Sequence, residues 1–189
     1  SRPVYTGEYT KTSQNSRVEL QGIADLNTVL LENKQGSNTI NNATVYYSNN
    51  AFPNTDINLF TINYYDDYNF DINGGVSENV GLITPNTATK SLATGNKVRI
   101  LGTNNWTTNV IYYDQKGRPI YNYSKNDFLG LTQKVKIELD FMGKPIKITT
   151  KHIKGTTVDI IDTFTYDNQS RLLTQVQKIN SQAEEIIVS

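Results

Sequence analysis

Three aspartates, Asp114, Asp140 and Asp167, stand 26 and 27 residues apart, and each opens the same short run. Tyr113-Asp114-Gln115-Lys116-Gly117-Arg118 is the fullest copy. Leu139-Asp140-Phe141-Met142-Gly143-Lys144 is the second, and Tyr166-Asp167-Asn168-Gln169-Ser170-Arg171 the third. Recurrence at a fixed spacing marks an internal repeat. The chemistry of the run is that of a hairpin turn. An apolar or aromatic residue ends one strand, and Asp accepts hydrogen bonds from the backbone two or three residues on. Gly at the fourth position adopts the left-handed conformation that such turns need, and Arg or Lys starts the return strand. Ser170 lacks the freedom of Gly, which implies strain on the order of 1 kcal/mol if the third turn is built like the first. Tyr65-Asp66 shares the dipeptide, but no Gly-Arg follows it.

Period-2 patterning supports strands between these turns. In Lys134–Phe141 the residues Val135, Ile137, Leu139 and Phe141 alternate with Lys134, Lys136, Glu138 and Asp140, which predicts a strand with one wet face. Residues 157–166 alternate as well, and 109–113, 119–123, 145–151 and 172–179 do so more weakly. Single apolar faces argue for antiparallel hairpins. In the first half, 45–47 and 59–65 read as strands, 24–31 as a short helix or a strand, and 74–95 as a long polar loop. Asn, Thr and Tyr are abundant, and these suit strands and the turns between them. The expected fold is all-β: antiparallel hairpin repeats forming a broad twisted sheet with little helix. The expected organisation is an N-terminal β subregion over 1–75, a long polar loop over 76–96 and a hairpin region over 97–189, as one continuous domain. Whether 1–45 is a cap or part of the same sheet stays open. The chain begins at Ser1 and stops in the strand-like run EEIIVS, which reads as a segment of a longer polypeptide.

The run Tyr-Asp-x-x-Gly-Arg followed by an apolar residue resembles the tyrosine-aspartate (YD) repeat of the RHS family. Tyr113, Asp114, Gly117, Arg118 and Ile120 fit it nearly in full. Tyr166, Asp167, Arg171 and Leu172 fit with Ser in place of Gly, and Asp140, Gly143 and Lys144 fit loosely. Residues 46–53, 63–71, 89–106 and 113–120 are also similar to long RHS proteins of Bacteroidetes. The spacing here exceeds the usual repeat of roughly 20 residues, and the aspartate-proline self-cleavage motif of many RHS shells is absent. The resemblance implies a secreted or cell-surface location and a wall of β-hairpins around a C-terminal effector, often a toxin. An adhesion surface, or carbohydrate binding, is its other implication. The implied partners are the remainder of the parent polypeptide, and a cell-surface glycan or C-terminal effector.

Composition removes other classes. Lys+Arg and Asp+Glu are 18 each, so nothing in the bulk charge suits nucleic acid. There is no cysteine and a single histidine, which excludes thiol nucleophiles, Cys-ligated metals and multi-His sites. No apolar run approaches the ~20 residues of a membrane-spanning helix. No Gly-rich phosphate loop with its Lys-Ser/Thr is present.

Candidate chemistry is thin. His152 sits in a strand-like run and reads as a surface residue. Asp66-Asp67, Asp159 with Asp162, and Glu184-Glu185 are the carboxylate clusters, and in strands each pair faces apart. Asn69, Asp71, Asn73 and Gly74 spell the opening of a calcium loop, but its twelfth position is Val80 rather than Glu. That run reads as a polar turn. Tyr121 and Tyr123, with Trp106, are the candidate ligand-binding residues, since aromatic faces flanked by Asn and Asp stack on sugars. The ordinary alternative is that they pack across strands. The expectation is a non-catalytic structural segment with no catalytic residue, metal or cofactor. Its alternative is a carbohydrate-binding module using exposed tyrosines.

Overall fold

In the computed structural model, which describes residues 2–11 and 16–188, 53% of the described residues are strand and 5% helix. The order is β1(Tyr5–Tyr9), α1(Arg17–Leu26), β2(Lys34–Ile40), β3(Ala43–Tyr47), β4(Ile57–Asp66), β5(Thr89–Arg99), β6(Trp106–Tyr113), β7(Pro119–Asn126), β8(Leu131–Leu139), β9(Pro145–Lys154), β10(Thr156–Tyr166), β11(Leu172–Ile179) and β12(Glu185–Val188). Ten strands form one antiparallel sheet, β1-β4-β5-β6-β7-β8-β9-β10-β11-β12, while β2 and β3 pair separately. The all-β expectation is met.

Three local expectations change. The helix starts at Arg17, not at residue 24, because Ser16 caps it: its hydroxyl accepts from Glu19 N–H, and the Glu19 carboxylate accepts from Ser16 N–H. The long loop ends at residue 88, since Thr89 to Arg99 is a strand whose mixed composition hid its period. Phe141 does not extend β8. Asp140 begins a turn there, and Phe141 is 84% exposed.

The first forty-five residues serve both ways left open by the sequence. β1 is the sheet's first strand, whereas the β2-β3 hairpin lies over it. The core forms under that hairpin and under the segment between β4 and β5. Tyr47 stacks on Tyr64 at 5.6 Å and Tyr64 on Phe70 at 4.1 Å. A second stack runs Tyr68–Tyr112–Tyr121, at 4.5 and 5.6 Å. Gly95 makes the first stack feasible, because a Cβ there would come within 2.6 Å of the Phe70 ring and 2.7 Å of the Asn109 carbonyl.

The covering layer stops near β8. Tyr121 and Tyr123 pair with Lys136 and Lys134, so the lysines share the covered face. Val135 pairs with the exposed Asn122 on the opposite face. Val135 and Ile137 therefore lie on the side away from the core, and of the apolar row of β8 Leu139, at the strand's end, packs against it. Every residue of β8 is half-buried, with neither face wet nor sealed, and among the described residues no strand or helix from outside the ten-stranded sheet packs substantially on β8 to β12.

Candidate functional site

The three repeated turns have one architecture. Each closes with a pair of backbone bonds: Asp114 N–H to Arg118 O at 2.9 Å and Gly117 N–H to Asp114 O at 3.1 Å. The matching pairs are 2.8 and 3.1 Å around Asp140, and 3.0 and 3.0 Å around Asp167. Gly117, Gly143 and Ser170 all have positive φ, at 74°, 94° and 67°. Each carboxylate reaches four residues on, rather than three. Asp114 accepts from Lys116 N–H, Arg118 N–H and Arg118 Nε at 2.8, 2.9 and 2.6 Å. Asp167 repeats this with Gln169 and Arg171 at 2.9, 2.8 and 2.6 Å. Burial raises the Asp114 pKa, but the Arg118 backbone and guanidinium outweigh it and hold the carboxyl below its ordinary value.

The conserved geometry extends to the strand ends. Tyr113 and Tyr166 donate their hydroxyls to a carbonyl of the preceding strand, Ala93 O at 2.5 Å and Pro145 O at 2.8 Å. Leu139, without a hydroxyl, packs on the margin of the core. The residue two past each basic position is the extra one of a bulge in the return strand: Ile120, Ile146 and Leu173. Their exposures are 0%, 39% and 50%. The same position is sealed where the N-terminal layer covers the sheet and open beyond it.

Alternate hairpins of an antiparallel sheet turn at the same rim, so the three turns line up two strands, about 10 Å, apart. Neighbouring turns touch. Lys116 Nζ lies 5.0 Å over the Phe141 ring, and a Cβ at Gly143 would come within 3.1 Å of Arg118 Nη1. Lys144 Nζ is 3.4 Å from its own Asp140 but also donates to Ser170 Oγ at 3.3 Å and lies 4.6 Å over the Tyr166 ring. A point-charge ammonium reaches the next unit where a guanidinium fork would grip its own carboxylate.

The tyrosines proposed for ligand stacking are in the core, which corrects that expectation. Tyr121 is 1% and Tyr123 4% exposed. Tyr121 packs on Tyr112, and Tyr123 donates its hydroxyl to Asn73 O at 2.9 Å against Gly75. Trp106 is half-buried beside the same core. Neither tyrosine offers a ring face for a sugar.

The carboxylate clusters are dispersed. Asp66 pairs with Arg2 at 2.5 Å and Asp67 with Lys34 at 2.5 Å. Asp159 faces Lys151, while Asp162 accepts from Gln175 and Gln177. His152 lies between Gln133 and Val158 in the sheet. In the calcium-like run, Asp71 binds Lys97 at 2.6 Å. Asn73 lies between Lys125 and Asp127. Among the described residues no group of three or more His, Asp or Glu side chains could hold a metal.

One feature escaped the sequence. A groove of about 740 Å³ runs along β1, where Tyr5 and Tyr9 face Leu30, Leu31 and Phe52. Its two acids are engaged: Glu8 accepts from Asn58, and Glu32 from Ser48 and the backbone of Asn50 and Ala51. The lining comes from three separated segments, none with a distinctive motif. No family model, no curated protein and no solved structure matches this chain.

Proposed function

We propose that the chain is a non-catalytic structural segment of a large secreted or cell-surface RHS/YD-repeat protein, building part of a β-shell or scaffold that encloses or presents a C-terminal effector. The observation that carries this reading is the row of three like turns on one rim, each touching the next. The repeated residues are engaged in holding the backbone and the neighbouring unit: Asp114, Asp140 and Asp167 bond their own turns, and Lys116 and Lys144 reach across. A catalytic or ligand-binding motif would leave such groups unengaged and converging on a cleft. Stepwise addition of identical units is how repeat proteins build walls.

The natural reading frame around this segment tests the proposal. A scaffold of this kind is flanked by further Tyr-Asp-x-x-Gly-Arg units at similar spacing and ends in a C-terminal domain of different composition. A frame with neither sinks it.

A further inference from the structure

The side chain of Asn73 is held between an amine and a carboxylate from β7 and the turn after it. Lys125 Nζ is 2.9 Å from Asn73 Oδ1. Asn73 Nδ2 donates to both Asp127 oxygens, at 3.0 and 3.1 Å, and more distantly to Thr108 Oγ1 at 3.5 Å. Asp127 Oδ1 lies 3.7 Å from Lys125 Nζ. The backbone of Asn73 is fixed as well: Tyr123 Oη donates to its carbonyl at 2.9 Å, and its N–H donates to Asp71 Oδ1 at 2.9 Å.

We propose that Lys125 and Asn73 form an intramolecular isopeptide bond, with Asp127 as proton carrier. An amine, a carboxamide and a carboxylate bonded to the amide nitrogen are the three groups this reaction needs. Asp127 takes a proton from the Lys125 ammonium, and the neutral amine attacks Asn73 Cγ. The new N–C bond forms as the carbonyl π pair moves to Oδ1. The amine's second proton passes through Asp127 to Nδ2, already its hydrogen-bond partner. The Oδ1 pair then re-forms the carbonyl, the Cγ–Nδ2 bond breaks and ammonia leaves. Counting the proton first removed from lysine, the products are a secondary amide and ammonium, and no oxidant, metal or cofactor enters. Holding amine and amide in contact converts a slow bimolecular condensation into a unimolecular one, and proton transfer by a positioned carboxylate adds to it. The Lys125 and Asp127 side chains are each 35% exposed, which gives ammonia a way out. The bond would fasten the segment between β4 and β5 to β7. It goes beyond the scaffold reading and does not depend on it.

Intact-mass spectrometry of the purified chain, followed by peptide mapping, tests the proposal. The expected result is a mass about 17 Da below that of the sequence, for the lost ammonia, and a branched peptide joining Asn73 to Lys125. Lys125→Arg and Asp127→Asn restore the full mass. A wild-type chain at full mass overturns the proposal. So does a loss that persists in Lys125→Arg, because Asn73-Gly74 can lose ammonia to its own backbone as a succinimide.

Discussion

Ser170 holds the left-handed backbone conformation that Gly117 holds in the first turn, with φ of 67° against 74°. The third turn is therefore the same device built with a less suitable residue. Ser170→Gly is expected to raise stability by about 1 kcal/mol, read as a higher urea midpoint with an unchanged slope. Gly117→Ser is expected to lower it by a similar amount. A fall in Ser170→Gly would mean that the Lys144 contact with Ser170 Oγ outweighs the strain.

Asp114 is 4% exposed and accepts three hydrogen bonds. Asp114→Ala leaves two backbone N–H groups and a guanidinium without their acceptor, at a cost of about 2–3 kcal/mol. At Asp167 the partner Arg171 is 73% exposed, so water replaces the carboxylate and Asp167→Ala costs less. Chemical denaturation of both variants checks the order, and equal losses would contradict it.

Tyr64 is fully buried, yet its hydroxyl has no hydrogen-bond partner among the described residues. Burial first, and then the neighbouring Tyr5, Tyr47, Tyr46 and Asp71, push its pKa strongly up. Tyr64→Phe keeps the stack on Phe70 and removes the unpartnered group, and is expected to stabilise by up to about 1 kcal/mol. Tyr121→Ala opens a cavity in the second stack and costs about 3–5 kcal/mol. Calorimetric melting of the two variants should move in opposite directions. A Tyr121→Ala melting point within a few degrees of wild type would show that this ring is not structural.

Glu78 ties the segment between β4 and β5 to β8 through Lys134 at 2.5 Å and Lys136 at 2.9 Å. Burial raises its pKa, but the two ammonium groups outweigh that and hold it at about 2, against an ordinary 4.5. A carboxylate with a depressed folded pKa contributes stability above its unfolded pKa and loses it as pH falls through the folded value. Stability should therefore decline between pH 4.5 and about 2, and Glu78→Gln should flatten part of that slope. A Glu78→Gln profile superimposable on wild type over this range would remove the latch.

The hairpins of the second half were legible because their information is local. Asp, Gly and a basic residue write the turn, and alternation writes the strands, so 172–179 matches β11 residue for residue. β5 was not legible, since its Gly95 and Lys97 are set by contacts with Phe70 and Asp71 from a distant segment. The roles of Tyr121 and Tyr123 were hidden for the same reason. Period-2 patterning shows which residues share a face, but not which face another layer covers. The groove along β1 depends on the meeting of three separated segments and left no pattern in any one of them.

The uneven cover gives the sheet a mechanical gradient. A plate's resistance to bending rises steeply with thickness, and a second layer adds about 10 Å to the first. The strands under the β2-β3 hairpin thus form the stiff end, and the single-layered strands from β9 onward the compliant one. Curvature imposed on this protein from outside should concentrate in the thin half.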